Sequence, residues 1–248
     1  MIKPETFINL PVSYKGKFKI YPPTINDVIG NPNYAQYKKL LTFSQEEIED
    51  EFNERMKEDS SFVPPTPIEF LLATSYNNKT IEILAKKAFT LFLKEEVHFL
   101  YEQKVILVGD LESSIKNANS VDDLILITED DFFDIQNLIR EVIGDKPVER
   151  PNPNEHPKIR RMKALARYRD KIKAKQGSGI SLTTSLAAIC CMGIGITPLN
   201  IGEMSYAALP IMLTMCQKKD RYETDIRSLQ AGADSKKIKP KYWIEDID

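Results

Sequence analysis

The amino-acid sequence predicts a mainly α, α+β protein, with a small β-hairpin or sheet in its N-terminal half and a helical C-terminal part. The 248 residues include 15 prolines and only 10 glycines, which favours many helix starts and stops over a turn-rich all-β chain. Residues 44–47 (Ser-Gln-Glu-Glu) and 66–69 (Thr-Pro-Ile-Glu) are capping boxes that mark helix N-termini. Val97, Phe99 and Tyr101 alternate with other side chains, as in a strand.

The N-terminal half contains five apolar patterns with helical spacing and four short strand-like runs. We expect helices over 33–43, 44–59, 66–76, 80–93 and 128–144. We expect strands over 18–20, 97–101, 105–107 and 124–127, with a hairpin turn at Glu102-Gln103. Tyr21-Pro22-Pro23 should end the first of these strands, because proline cannot donate to a sheet.

A proline-rich segment separates two parts of the chain. Residues 146–157 contain four prolines and few apolar side chains, which indicates a linker. The sequence therefore predicts an α+β domain over 1–145 and a helical domain over 158–248. In the second domain we expect a small apolar helix over 181–192 and a long amphipathic helix from 211 that stops at Gly232.

Composition and hydropathy limit the class of protein. Three cysteines provide no disulfide framework, and the net charge of -2 gives no global attraction to nucleic acid. The uncharged stretch 176–202 is interrupted by glycines and Pro198, and its strongly apolar part, 186–196, is too short to span a bilayer. We therefore expect no membrane association and, because the N-terminus lacks an apolar signal, a cytoplasmic protein.

No motif predicts a catalytic, cofactor-binding or metal site. The spacing of Gly193, Gly195 and Gly202 does not match a phosphate-binding loop, and His98 and His156 are too far apart in sequence for a zinc ligand pair. The carboxylates of residues 130, 131 and 134 could bind a metal ion or act as acid and base. Complementing the dipole of the helix that they open is the preferred interpretation. We expect a protein that is not an enzyme.

An acidic helix is the first candidate binding surface. Residues 46–59 contain eight carboxylates against Arg55 and Lys57, while the apolar residues recur every four positions in one narrow stripe. The helix is either a solvated surface element or a docking face for a basic partner.

A basic helix is the second candidate. Residues 158–175 contain nine basic side chains and one acidic side chain, Asp170. Steps of three and four place Arg160, Lys163, Arg167, Lys171 and Lys175 on one helix face. Packing of the apolar residues Ile159, Met162, Leu165, Ala166 and Ile172 on the other side should hold the helix.

Two interpretations of this basic face remain open. It is either a solvated face or the contact for an anionic partner: the acidic helix of the same or another copy, an acidic protein surface, or nucleic-acid phosphate. Tyr168 is its one interleaved aromatic residue, so base stacking is disfavoured and nucleic acid is not the expected partner.

Both ends of the chain resemble a known family. The C-terminal pattern Ala231-Gly232-Ala233-Asp234-Ser235-Lys236-Lys237-Ile238-Lys239, closed by Tyr242-Trp243, resembles the ends of tail assembly proteins from tailed bacteriophages of Gram-positive hosts. The segment Ile20-Tyr21-Pro22-Pro23-Thr24-Ile25-Asn26-Asp27-Val28-Ile29-Gly30 is similar to their N-terminal region. The baseplate-hub assembly proteins of contractile-tailed phages are a neighbouring group.

The resemblance implies a late protein of virion morphogenesis, a non-catalytic tail assembly chaperone in the host cytoplasm. Its clients would be tape-measure, tail-tube or baseplate proteins, and it could also self-associate. Alternatives are a structural component of the virion tail or baseplate, third, a nucleic-acid-binding protein and, fourth, an enzyme whose active-site residues are dispersed in sequence. The candidate partner-binding residues are Arg160, Lys163, Arg167, Lys171, Lys175, Glu47, Asp50, Glu51, Glu54 and Trp243.

Overall fold

The computed structural model divides the chain into two compact units. It describes residues 3–59, 61–111, 124–150, 181–193, 195–234 and 237–244, together with 156, 158, 159, 162, 163, 165, 166, 169 and 172. The first unit comprises residues 1–148 and 202–208, and the second comprises 149–201 and 209–248. Residues 151–155 and 157 of the predicted linker lie outside the described residues.

The first unit contains helices and two small antiparallel sheets. Its elements are α1 (Pro4–Phe7), β1 (Val12–Tyr14), β2 (Phe18–Ile20), α2 (Ile25–Ile29), α3 (Tyr34–Thr42), α4 (Gln45–Glu51), α5 (Asn53–Glu58), α6 (Pro67–Asn77), α7 (Lys79–Leu93), β3 (Val97–Leu100), β4 (Val105–Val108), β5 (Leu126–Ile127) and α8 (Glu129–Val142). This architecture confirms the predicted fold class.

Both sheets follow the chain order. Strands β1 and β2 form a hairpin, which the sequence did not predict in full because β1 lies in a region expected to be irregular. The order β3-β4-β5 confirms the predicted hairpin and third strand, with Val97 opposite Val108 and Ile106 opposite Ile127. After β2 the Tyr21 amide donates to the Phe92 carbonyl at 2.7 Å, so the chain leaves the sheet for helix α7.

A segment distant in sequence completes the first unit. Thr24 forms a β-bridge with Ser205, and the Ile25 amide donates to the Met204 carbonyl at 2.9 Å. The Tyr206 ring lies 5.9 Å from the Tyr34 ring in an edge-to-face arrangement. These contacts explain why residues 202–208 belong to the first unit although the flanking residues belong to the second.

The described part of the second unit contains helices joined and followed by irregular segments. Helix α9 (Leu182–Cys191) and helix α10 (Ala208–Gln230) confirm the two predicted C-terminal helices, and Pro210 lies in the first turn of α10, where proline is tolerated. Gly232 adopts a φ of 92°, a left-handed conformation that ends α10 at the predicted position. Within the described residues, no helix combines the length and apolarity needed to cross a membrane.

The predicted single helix over 44–59 is wrong, because the chain breaks at Phe52. Its φ of -95° and ψ of 8° interrupt the helix and separate α4 from α5. The Phe52 ring packs 5.6 Å from the Phe62 ring and 6.3 Å from the Phe70 ring. These partners lie in the proline-rich break and in α6, so the four-residue periodicity of the helix could not reveal them.

One face of helix α8 packs in the core of the first unit. Its residues Phe132, Ile135, Ile139 and Val142 are at most 1% exposed, and they recur at helical spacing on one face. The Phe132 ring lies 6.4 Å from the Phe89 ring of α7. Because α8 also packs on α3, α6, β2 and β5, burial of this face connects most of the unit.

Two buried polar side chains of α8 satisfy the C-terminal end of α3. The Gln136 amide donates to the Phe43 carbonyl at 3.0 Å, and the Arg140 guanidinium donates to the Thr42 carbonyl. Both side chains are buried. Carbonyls at a helix C-terminus lack partners within the helix and carry partial negative charge. The buried Gln136 amide and the buried Arg140 guanidinium therefore cap the C-terminus of α3, although they lie far from it in sequence.

Asp131 joins the first turn of α8 to the N-terminal hairpin. It accepts hydrogen bonds from the Tyr14 hydroxyl at 2.6 Å, the Lys15 ammonium at 2.9 Å and the Thr128 hydroxyl at 3.1 Å. Burial would raise the pKa of Asp131, but these donors outweigh it and lower that pKa to about 2. Burial and the Asp131 carboxylate raise the pKa of Tyr14 to about 12. The carboxylate thus stabilises a long-range contact as well as a helix N-terminus.

We predict that Asp131→Asn destabilises the first unit at neutral pH and has little effect in acid. A folded-state pKa of about 2, below the usual 3.8, contributes stability above pH 4 that is lost as pH falls toward 2. The expected cost at pH 7 is on the order of 1–2 kcal/mol after allowance for solvent screening. Urea unfolding of both proteins between pH 7 and pH 2.5 measures it. Asp130→Asn, at the neighbouring exposed position, is the control, and an equal loss there would contradict the assignment.

We predict that Arg140→Met costs about 1–3 kcal/mol, because the part-buried Thr42 carbonyl loses its donor. Methionine keeps most of the apolar stem, so the loss reports the hydrogen bond and the charge. Arg227→Met, at an exposed position of α10, should change stability by less than about 0.5 kcal/mol. Denaturant unfolding compares the two, and equal effects would remove the capping role of Arg140.

Candidate partner-binding surfaces

The four predicted acidic residues share an exposed surface on α4 and α5. Glu47, Asp50, Glu51 and Glu54 are all exposed, whereas Ile48 between them is 1% exposed. The apolar stripe of this segment therefore faces the core, as the spacing predicted. The carboxylates face solvent as a consequence.

Glu47 has a structural role that the other three do not have. Its carboxylate accepts the Ser44 amide at 3.0 Å, while the Ser44 hydroxyl accepts the Glu47 amide at 3.3 Å. This reciprocal pair confirms the predicted capping box and begins α4. A change at Glu47 would therefore affect the helix itself, so Asp50, Glu51 and Glu54 are the better probes of a docking face.

The structure describes part of the predicted basic face. Lys163 is exposed, and its ammonium lies 2.9 Å from a carboxylate oxygen of Glu149, whose own side chain is 83% exposed. The lysine lowers the pKa of Glu149 by hydrogen bonding and charge. A pair this exposed is screened by water and holds its partners weakly. Arg160, Arg167, Lys171 and Lys175 lie outside the described residues.

The expected packing of the apolar side of this segment is wrong. The described residues between 158 and 172 have helical backbone, yet Ile159 is 49%, Met162 70%, Leu165 51% and Ile172 37% exposed. Ala166 is exposed as well. Steps of three and seven place Ile159, Met162, Leu165 and Ile172 on one side of a helix. The segment therefore presents apolar surface to solvent beside its cations.

Trp243 lies in the C-terminal tail (residues 237–244), which returns to α10. The Tyr242 ring is 5.7 Å from the Tyr222 ring of the helix, and the Trp243 ring is 6.2 Å from Tyr242. The helix and the tail together line a cavity of about 350 Å³. Trp243 was a candidate from the sequence, whereas Tyr222 and this cavity were not. The signal that could have found them was the reversal at Gly232, which allows the chain to fold back.

We predict that Met162→Ser with Leu165→Ser reduces surface hydrophobicity without destabilising the protein. Both side chains are exposed, and surface changes usually alter stability by less than about 0.5 kcal/mol each. Binding of an apolar fluorescent dye should fall while the thermal midpoint stays constant. Leu71→Ser, at a position 1% exposed, is the contrasting variant and should unfold at lower temperature. A matching loss in the double variant would show that this face is packed.

The chain was compared with protein-family models, curated proteins and solved structures, and none of the three comparisons finds a match.

Proposed function

We propose that this protein is a non-catalytic assembly factor, a phage tail assembly chaperone that binds a tape-measure, tail-tube or baseplate protein. The family part of the proposal rests on the sequence patterns at the two ends of the chain. The observation that carries the binding role is the exposed apolar face of the basic segment, where Met162 is 70% exposed and Leu165 51% exposed.

The basic segment (residues 158–175) combines exposed apolar side chains with cations, and this combination favours a protein client. Apolar side chains in water cost free energy that a partner recovers by covering them, at about 25 cal/mol per Å². The neighbouring cations favour a client with negative charge, because like charges at an interface are strongly unfavourable. An amphipathic helix that carries both properties can dock into an apolar groove bordered by carboxylates. A chaperone that covers a client segment needs such a surface and no catalytic group.

The acidic surface of α4 and α5 suggests how the protein could also bind a second copy. Asp50, Glu51 and Glu54 are exposed and opposite in charge to the basic segment. A client that competes with this acidic surface would separate the copies when it binds. Self-association is therefore part of the same proposal and would weaken as salt increases.

We predict that charge reversal on the basic segment, Lys163→Glu with Arg167→Glu and Lys171→Glu, lowers client recovery by at least about tenfold. That loss corresponds to about 1.4 kcal/mol of binding free energy. Tagged protein purified from infected cells and quantified by mass spectrometry measures the recovery. Met162→Ser with Leu165→Ser should lower it independently of salt, since the apolar contact is not screened.

The matched control reverses three exposed lysines of the first unit, Lys17, Lys19 and Lys87, to glutamate. This variant changes net charge equally and should retain the client. Unchanged recovery in the basic-segment variant would show that its cations are only solvated. Mass spectrometry of purified particles distinguishes the alternative: a chaperone is absent, whereas a structural tail or baseplate component is present in stoichiometric amount.

A further inference from the structure

The cavity between α10 and the tail carries a concentration of positive charge. Lys218 and Arg221 contribute from the helix, and Lys239 and Lys241 contribute from the tail. In the described part of the chain, no carboxylate lies within ion-pair distance of any of the four. Among the described residues of the lining, Asp225 is the one carboxylate.

Other cations of the same helix are paired. Lys219 lies 3.8 Å and Arg227 3.4 Å from the Glu223 carboxylate, both at a spacing of four residues. The helix therefore neutralises the cations on one side and gathers unneutralised cations on the side that faces the tail. Four positive groups around one small cavity repel each other, and an anionic ligand relieves that repulsion.

Aromatic rings line the same cavity. Tyr222 and Tyr242 meet edge to face at an interplanar angle of 87°, and Trp243 lies against Tyr242 at 47°. Tyr242 is 57% exposed, so much of its ring remains accessible to a ligand. Aromatic faces beside cations form the platform on which nucleic-acid bases stack.

We infer that this cavity binds a base-bearing phosphate, in the form of a segment of single-stranded nucleic acid. The cations contact the phosphate, a ring stacks on the base, and the Asp225 carboxylate can accept a hydrogen bond from a base amino group or a sugar hydroxyl. A volume of about 350 Å³ is at the small end of ligand sites and suits one nucleotide, not a duplex.

The aromatic rings favour single-stranded nucleic acid over an acidic peptide. A peptide carboxylate would use the lysines and the arginine but would leave the aromatic platform without a planar partner. The basic segment lacks such a platform apart from Tyr168, which is why the sequence disfavoured nucleic acid there. The tertiary structure brings rings and unpaired cations together at a different place in the chain. This inference does not depend on the proposed chaperone role.

The site can be observed directly, because Trp243 is the only tryptophan in the chain. The full-length protein is titrated with a thymidine 12-mer, with a duplex of the same length, with thymidine monophosphate, and with inorganic phosphate or a polyglutamate peptide. We expect saturable quenching by the single strand, at least about tenfold weaker binding of the duplex, and a salt slope near 0.7 per phosphate contacted. Comparable affinity for the monophosphate would identify a free nucleotide as the source of the same chemistry.

Substitutions in the cavity test whether its residues bind the single strand. Lys239→Gln with Lys241→Gln, and separately Tyr242→Leu, should each weaken single-strand binding by about tenfold, whereas Tyr242→Phe should retain it. Lys219→Gln with Lys237→Gln is the matched control outside the cavity lining and should bind normally. Circular dichroism and thermal unfolding confirm that each variant is folded.

Three results would overturn the inference. The first is quenching by polyglutamate or inorganic phosphate at the affinity of the single strand, which would indicate a general anion site. The second is loss of binding in a Lys163→Gln, Arg167→Gln, Lys171→Gln variant with no loss in the cavity variants. The third is no change in Trp243 fluorescence with any nucleotide.

Discussion

Burial of one face of helix α8 is the interaction on which the first unit depends. Phe132, Ile135 and Ile139 close the core against α7, and the helix also packs on α3, α6 and two strands. The same face carries Gln136 and Arg140, whose donors satisfy the C-terminal carbonyls of α3. Removing α8 would therefore expose apolar surface and leave buried backbone groups without partners, and both losses oppose folding.

The described residues of the second unit gain less stability from apolar burial. Much of their apolar surface remains in contact with water, from Ile159 to Ile172 in the basic segment and at Ala187 and Cys191 in α9. A small helical unit that leaves such groups uncovered gains less from folding than the first unit does. Covering this surface would lower the free energy, and the proposed client would supply the missing burial.

The two binding surfaces proposed for the second unit use different chemistry. The basic segment combines cations with aliphatic side chains, which suits the mixed apolar and acidic surface of a protein. The tail cavity combines cations with Tyr222, Tyr242 and Trp243, which suits a planar anionic ligand. Charge attracts both ligands over the same range, so the neighbouring apolar groups determine which ligand each surface retains.

Local patterns in the sequence determined the elements whose stabilising contacts lie within a few residues. The capping box of Ser44 and Glu47 and the β3–β4 hairpin could be predicted for this reason. The amphipathic face of α8 could be predicted from its helical spacing of apolar residues, although its packing partners are distant in sequence. The break at Phe52 was missed because its packing partners, Phe62 and Phe70, lie outside the helix. The apolar face of the basic segment was wrongly expected to be packed, since periodicity reveals a face but not what covers it. Trp243 could be singled out from the sequence, but its cavity required the tail to return to Tyr222. Only the tertiary structure decided these features, because each depends on whether residues distant in sequence come into contact.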